Sequence, residues 1–201
     1  MSRTDQGYQR LLAASNRFIE TSSHTALGVF RDHFPLSSHA YIRPDASPHN
    51  VRHQLKPALS MTNALTRDLT ELFNEFAENL HWEQSYKRGD GVGQDMLNGY
   101  AFVEITGIRG PYINHHLRSG IGVWGPNIDY PRHQHKAQEV YAVLAGSAEF
   151  TVGGSPTVIA RAGDMISVDS FAPHSFQTLN EPLVVFYLWQ SGDLREKSSF
   201  S

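Results

Sequence analysis

The sequence predicts a mainly β chain: one barrel of short strands, with helices from the N-terminal part packed outside it. Three observations predict it. From Tyr100 onward, β-rich runs of three to seven residues recur, each bounded by Gly, Pro, Asn or Ser. Before that point the apolar residues fall at helical spacing. And 201 residues with 40% hydrophobic content suffice for one core.

Tyr8, Leu11, Leu12, Ser15, Phe18 and Ile19 lie at three-and-four spacing, which predicts an amphipathic helix over Thr4–Thr21. A short helix is expected around Ala26–His33. Residues 22–57 are dense in His and Pro: His24, His33, His39, His49 and His53, with Pro35, Pro44, Pro48 and Pro57. These histidines share no period and are expected to face solvent or sit in turns. A second helix is expected over Thr62–Leu80. Leu65, Leu69, Leu72, Phe73, Phe76 and Leu80 form its apolar stripe, and Asp68, Glu71, Glu75 and Glu78 its other side. Gly89, Gly91 and Gly93 mark a loop, with no strand before them and no clear helix after, so they do not read as a nucleotide-binding motif.

Strands are then expected at Tyr100–Ile105, Tyr112–Leu117, Gly120–Trp124, Glu139–Leu144, Ala148–Val152, Thr157–Ile159, Met165–Val168, Ser175–Leu179 and Leu183–Trp189, with a hairpin at Gly153-Gly154. The expected division is a helical extension over residues 1–98 and a barrel over residues 99–201, forming one structural domain.

Composition excludes several functions. Lys+Arg 17 against Asp+Glu 20 leaves no basic excess for a nucleic-acid backbone. The absence of Cys removes disulfides, thiolate nucleophiles and iron–sulfur ligation. The polar start at Met1–Arg10 does not read as a signal peptide, and the longest apolar run, Leu183–Trp189, is too short to span a membrane. A cytoplasmic location, no membrane and no nucleic-acid partner are therefore expected. Eleven histidines stand out, and any metal must be held by His, carboxylate or Tyr.

The most informative stretch runs from Tyr130 to Tyr141. Side chains alternate along a strand, so His133 and His135 point the same way. A tight turn over Lys136–Gln138 would bring Glu139 back beside them, with Tyr141 on the same face. Two imidazoles, a carboxylate and a phenol would then converge, and a divalent metal compensates their burial. The donors suit Zn, Fe, Mn, Ni or Co. The plainer alternative is a pair of exposed hairpin histidines, with Glu139 in a surface ion pair.

His133, His135, Glu139 and Gly146 match the first motif of the cupin family at every position. In the second motif, Gly163 and His174 fall on the family's Gly and His, while Asp169, Phe171 and Thr178 replace its Pro, Gly and Asn. Helical start, length, Tyr130 ahead of His133, and Tyr141 two residues past Glu139 resemble the cupin-type dimethylsulfoniopropionate (DMSP) lyases of the DddQ type. The resemblance implies a cupin barrel (a double-stranded β-helix, or jelly roll) and β-elimination of DMSP to dimethyl sulfide and acrylate. It implies one divalent transition metal on His135, Glu139, His174 and Tyr141, with His133 close by. Tyr141 would be the general base, and Tyr130 a lid or substrate-positioning residue. His133 is expected to bind metal, hold a water or orient the substrate; spacing leaves these open.

A sulfonium attracts aromatic faces, and Tyr130, Trp189, Tyr187 and Trp124 are candidates. Ordinary core packing is the alternative for Tyr187 and Trp189, as it is for Tyr141. His115 and His116 are expected on opposite faces of a strand and carry no role. Two other functions fit the motif: an Fe(II)-dependent cupin dioxygenase, and a non-catalytic small-molecule-binding cupin. A monomer or a homodimer would serve any of them.

Overall fold

The computed structural model describes residues 1–33 and 40–200. Pro35 and His39, assigned above to turns or solvent, lie outside the described residues. The chain opens with α1 (Arg3–Thr21), passes through short 3-10 turns and α2 (Leu55–Ala58), and continues into α3 (Arg67–Phe76) and α4 (Gln94–Gly99). Eleven strands follow: β1 (Tyr100–Gly107), β2 (Tyr112–Ile113), β3 (Leu117–Trp124), β4 (Asp129–Gln134), β5 (Gln138–Ala145), β6 (Ser147–Val152), β7 (Val158–Arg161), β8 (Met165–Val168), β9 (His174–Thr178), β10 (Leu183–Gln190) and β11 (Ser199–Phe200).

Ser2 starts α1 through a capping box. Its Oγ accepts from Asp5 N–H at 3.1 Å, and the Asp5 carboxylate accepts from Ser2 N–H at 3.1 Å. The expected stripe from Tyr8 to Ile19 is the buried face of this helix. The second helix is shorter than Thr62–Leu80 because the Asn63 carboxamide oxygen accepts from the Leu65 and Thr66 N–H groups. That local turn competes with helix at the start, so α3 begins at Arg67 and Leu65 stays exposed. At the other end a 3-10 turn, Ala77–Asn79, closes the helix before Leu80 becomes extended. The Ala26–His33 helix is present as a 3-10 turn, Thr25–His33.

The strands form two sheets, ordered β2-β1-β3-β10-β5-β8 and β11-β4-β9-β6-β7. Their inner faces meet: Tyr141 of β5 packs on Phe150 of β6 at 5.7 Å, and Trp124 of β3 on Phe176 of β9 at 5.0 Å. α1, α2 and α3 cover the other face of the six-stranded sheet, where Phe18 of α1 meets Phe186 of β10 edge-on at 6.0 Å.

The motif glycines have backbone reasons. Gly146 turns β5 into β6 at φ +75°, and a Cβ there would run into the Pro182 carbonyl. Gly163 sits at φ +98° before β8. Phe171, which replaces the second-motif glycine, adopts φ +59° even though it carries a side chain.

The expected Tyr112–Leu117 strand splits. Asn114 accepts from the His116 and Leu117 N–H groups through its side chain, so His115 and His116 lie in an exposed bend, not on a strand. His24 and His53 are exposed and His33 and His49 half-buried. His24 and His49 each accept from a backbone N–H two residues on, closing a local turn.

Candidate metal centre

Three imidazoles gather between the sheets. His133 near the end of β4 and His174 at the start of β9 are direct cross-strand partners. His135 follows β4 by one residue, and the Lys136-Ala137 bend returns the chain to Glu139 of β5. The nearest ligand atoms of His133, His135 and His174 all lie within 4.8 Å of one another, and all three residues are buried. The His133 and His174 ring centroids are 4.0 Å apart.

The backbone fixes the tautomers. His133 Nδ1 faces the Pro131 carbonyl at 2.8 Å, His135 Nδ1 the Ala137 carbonyl at 2.9 Å, and His174 Nδ1 the Ala172 carbonyl at 2.9 Å. A carbonyl only accepts, so each Nδ1 carries a proton and each Nε2 is the nitrogen left to offer a lone pair to a cation. The buried Nε2 atoms of His133 and His174 have no hydrogen-bond partner among the described residues. His135 Nε2 lies 2.9 Å from Glu139 Oε2, and His174 Nε2 lies 3.5 Å from the same oxygen.

Bare imidazole nitrogens beside a carboxylate are acceptors facing an acceptor, which a proton or a cation must relieve. Three histidines oriented by backbone carbonyls are the arrangement metal ligands adopt. The residues therefore fit a divalent ion.

Electrostatics follow from the same contacts. Burial, with His174 beside it, pushes His133 down to about 3. Burial also opposes charge on His135, but the hydrogen bond to Glu139 outweighs it and raises that imidazole above its ordinary value. Burial would raise Glu139, yet the hydrogen bond from His135 and the His174 imidazole 3.5 Å away hold its carboxyl well below the usual carboxylate range. Burial, aided by the Glu139 carboxylate, pushes the Tyr141 phenol well above 10.

Beside the histidines opens a cavity of about 220 Å³. Glu139, Tyr141, Tyr130, Tyr187, Trp189 and Trp124, all named from sequence, line it. Tyr130 stacks on His133 at 4.2 Å, and its hydroxyl is 2.6 Å from that of Tyr86. Trp189 packs on His135 at 4.1 Å. Tyr187 and Tyr141 are cross-strand partners, as are Trp189 and Glu139. Sequence reasoning missed Tyr86, Tyr100, Phe102 and Arg118, which also line the cavity. Arg118 lies on β3 inside a stretch read as two separate strands.

Comparison with known proteins agrees with this geometry. The family model for dimethylsulfoniopropionate (DMSP) lyase matches residues 38–185, most of the chain. The chain belongs to the DMSP lyase family. It is 34% identical to dimethylsulfoniopropionate lyase DddQ of Ruegeria pomeroyi over 113 residues, which is 56% of this chain and 55% of that protein. The aligned part thus spans about half the length of this curated relative. The crystal structure of DMSP lyase DddQ from Ruegeria pomeroyi superposes with a TM-score of 0.86 at 25% identity, covering 98% of each chain. A chain from the crystal structures of the DMSP lyases RdDddP and RnDddQII gives a TM-score of 0.88 at 25% identity, covering 98% of this chain and 99% of the other. The fold is the expected cupin arrangement of two facing sheets with helices outside. Among the described residues, no helix is long and apolar enough to cross a membrane.

Proposed function

We propose that this chain cleaves DMSP to dimethyl sulfide and acrylate by β-elimination. The observation that carries the reading is the convergence of three Nε2 lone pairs and one carboxylate beside a buried phenol in an aromatic cavity. Family membership supplies the substrate class. One divalent transition metal, Zn, Fe, Mn, Ni or Co, suits the N/O donors. His135, Glu139 and His174 would hold it, with Tyr141 as a further ligand and His133 at the same point.

Such an ion supplies positive charge that stabilises the developing enolate and favours the Tyr141 phenolate. The phenolate takes the proton from the carbon next to the carboxylate. The electron pair left behind forms the carbon–carbon double bond, and the carbon–sulfur bond breaks towards sulfur. Dimethyl sulfide leaves neutral, acrylate keeps its carboxylate, and the proton stays on Tyr141. Glu139, beside His135 and His174, would offset part of the charge of that ion.

The aromatic wall attracts the sulfonium. Tyr130, held by the 2.6 Å contact with Tyr86, and Trp124 line the cavity, with Tyr187 and Trp189 of β10 beside them. Each face contributes roughly 0.5–2 kcal/mol toward a bound cation.

The test is headspace detection of dimethyl sulfide from DMSP, with acrylate quantified in solution. The metal-loaded chain is expected to release both in equal amounts without consuming oxygen. Tyr141→Phe should keep the fold and lose about 10²–10⁴-fold in turnover. Near-normal release by that variant would remove Tyr141 as the base. Oxygen uptake in place of sulfide release would favour a dioxygenase.

A further inference from the structure

The wall of the cavity built by the six-stranded sheet carries buried donors that the proposed elimination has not used. Arg118 of β3, Trp189 of β10 and Glu139 of β5 occupy one row across the six-stranded sheet, Arg118 pairing with Trp189 and Trp189 with Glu139. In the next row, Tyr187 of β10 lies between Gly120 of β3 and Tyr141 of β5. Gly120 leaves room for the Tyr187 hydroxyl, since a Cβ there would sit 2.6 Å from that oxygen.

The Arg118 guanidinium is held from one edge only. Its Nε donates to Glu104 Oε2 at 2.6 Å, and among the described residues its other two nitrogens meet no side-chain carboxylate. The group lies 5.4 Å from the Trp189 ring, whose indole packs on His135. Trp189 thus touches both the guanidinium and an imidazole of the metal centre. The Trp189 Nε1 and Tyr187 hydroxyl are buried without a hydrogen-bond partner among the described residues. Tyr187 is 8% exposed. A buried donor without an acceptor costs about 1–3 kcal/mol, so an acceptor-bearing ligand gains there.

We propose that Arg118, with the Tyr187 O–H and the Trp189 N–H, forms a carboxylate-binding subsite that orients a small carboxylate ligand across the cavity. A guanidinium edge matches a planar carboxylate in shape and charge, and neutral donors beside it add directionality. Glu104 fixes the Nε edge and leaves the opposite edge for the ligand. With the DMSP reading, on which this specific use rests, one carboxylate oxygen meets Arg118, the other is left for the ion, and the adjacent carbon faces Tyr141, the strand neighbour of Tyr187. The sulfonium then lies toward Tyr130 and Trp124, away from the guanidinium. Arg118 becomes a specificity-determining residue for acids over their neutral analogues.

The probe is propionate, which has a carboxylate and no leaving group. Its binding to the metal-loaded chain is followed by tryptophan fluorescence, since Trp124 and Trp189 line the cavity. Wild type should bind propionate at least tenfold more tightly than propionamide. Arg118→Met should weaken propionate by about ten- to a hundredfold, with bound metal unchanged, and should raise KM for DMSP more than it lowers kcat. Arg118→Met leaves Glu104 without its cation, so the double variant Glu104→Gln with Arg118→Met repeats the test with the pair neutralised. Equal binding of propionate and propionamide by wild type, or unchanged propionate affinity in either folded variant, overturns the subsite. Arg118-dependent propionate binding without dimethyl sulfide release from DMSP would keep the subsite and remove the lyase reading.

Discussion

The six-stranded sheet is buried on both faces and the five-stranded sheet on one, and each sequence records the difference. In β1 every residue is buried, and β3, β5 and β10 each have one exception in eight. Helices cover one side of these strands and the opposite sheet covers the other, so they read as near-continuous apolar runs. β4, β7 and β9 mix buried and exposed positions because their outer face meets solvent. The chemistry divides along the same line. The five-stranded sheet and its edge contribute imidazoles, each held by a carbonyl two residues away in sequence. The six-stranded sheet contributes the carboxylate, the phenol and the guanidinium. A charged group in a doubly covered sheet needs a partner across the cavity, and Glu139 finds two in His135 and His174.

The largest expected effect breaks the imidazole side of this division. His174→Ala removes one of the three Nε2 lone pairs, and bound metal and dimethyl sulfide release should both fall by more than about 100-fold, the upper end for residues that merely orient a ligand. Elemental analysis and headspace detection check it. Full metal content in that variant would mean that the five-stranded sheet does not supply the ligand cluster.

A second prediction sharpens the charge division through pH. In the metal-free chain His133 titrates at about 3, against 6.5 in its ordinary state. Between those values the unfolded chain binds a proton that the folded chain does not, so stability falls as pH drops below 6.5. Glu139 adds to this loss below 4.5, because its depressed carboxyl stabilises the fold above that value and loses the contribution as pH falls. His135 acts in the opposite sense: its raised value gives full stabilisation below 6.5, lost as pH rises through its folded value. Thermal melts of the chelator-treated chain should therefore peak near pH 6.5. His133→Gln should flatten the limb between pH 6.5 and 4.5; an unchanged limb would place its origin elsewhere.

The smallest effect concerns the turn that leads into β9. Phe171 is 57% exposed at φ +59°, a conformation costing an L-residue roughly 1–2 kcal/mol that glycine avoids. Phe171→Gly should raise Tm by about 2–4 °C for a chain of this size, read by calorimetry. A fall in Tm would mean that the aromatic ring makes a compensating contact.

Legibility in the sequence follows the range of the interactions. His133, His135, Glu139 and Tyr141 lie within nine residues of one another, and one bend sets their geometry, so spacing offered the cluster beside an exposed-hairpin alternative and the motif match chose between them. The motif glycine at 146 was legible because its backbone conformation tolerates little else. Tyr86, Tyr100, Phe102 and Arg118 reach the cavity from elements far away in sequence, and buried aromatics on strands look the same whether they pack a core or line a cleft. Helix limits failed at Asn63, and the strand reading failed at Asn114, for one reason: a short side chain captured backbone N–H groups that periodicity assigns to regular structure.

The account rests on a single cation at the imidazole cluster, and calorimetric titration of the chelator-treated chain with Zn²⁺ near neutral pH tests it most directly. Saturation at one ion per chain is predicted, with heats that vary with the buffer because binding displaces the proton held between His135 and Glu139. No saturable binding, or the same isotherm from His174→Ala, would contradict it.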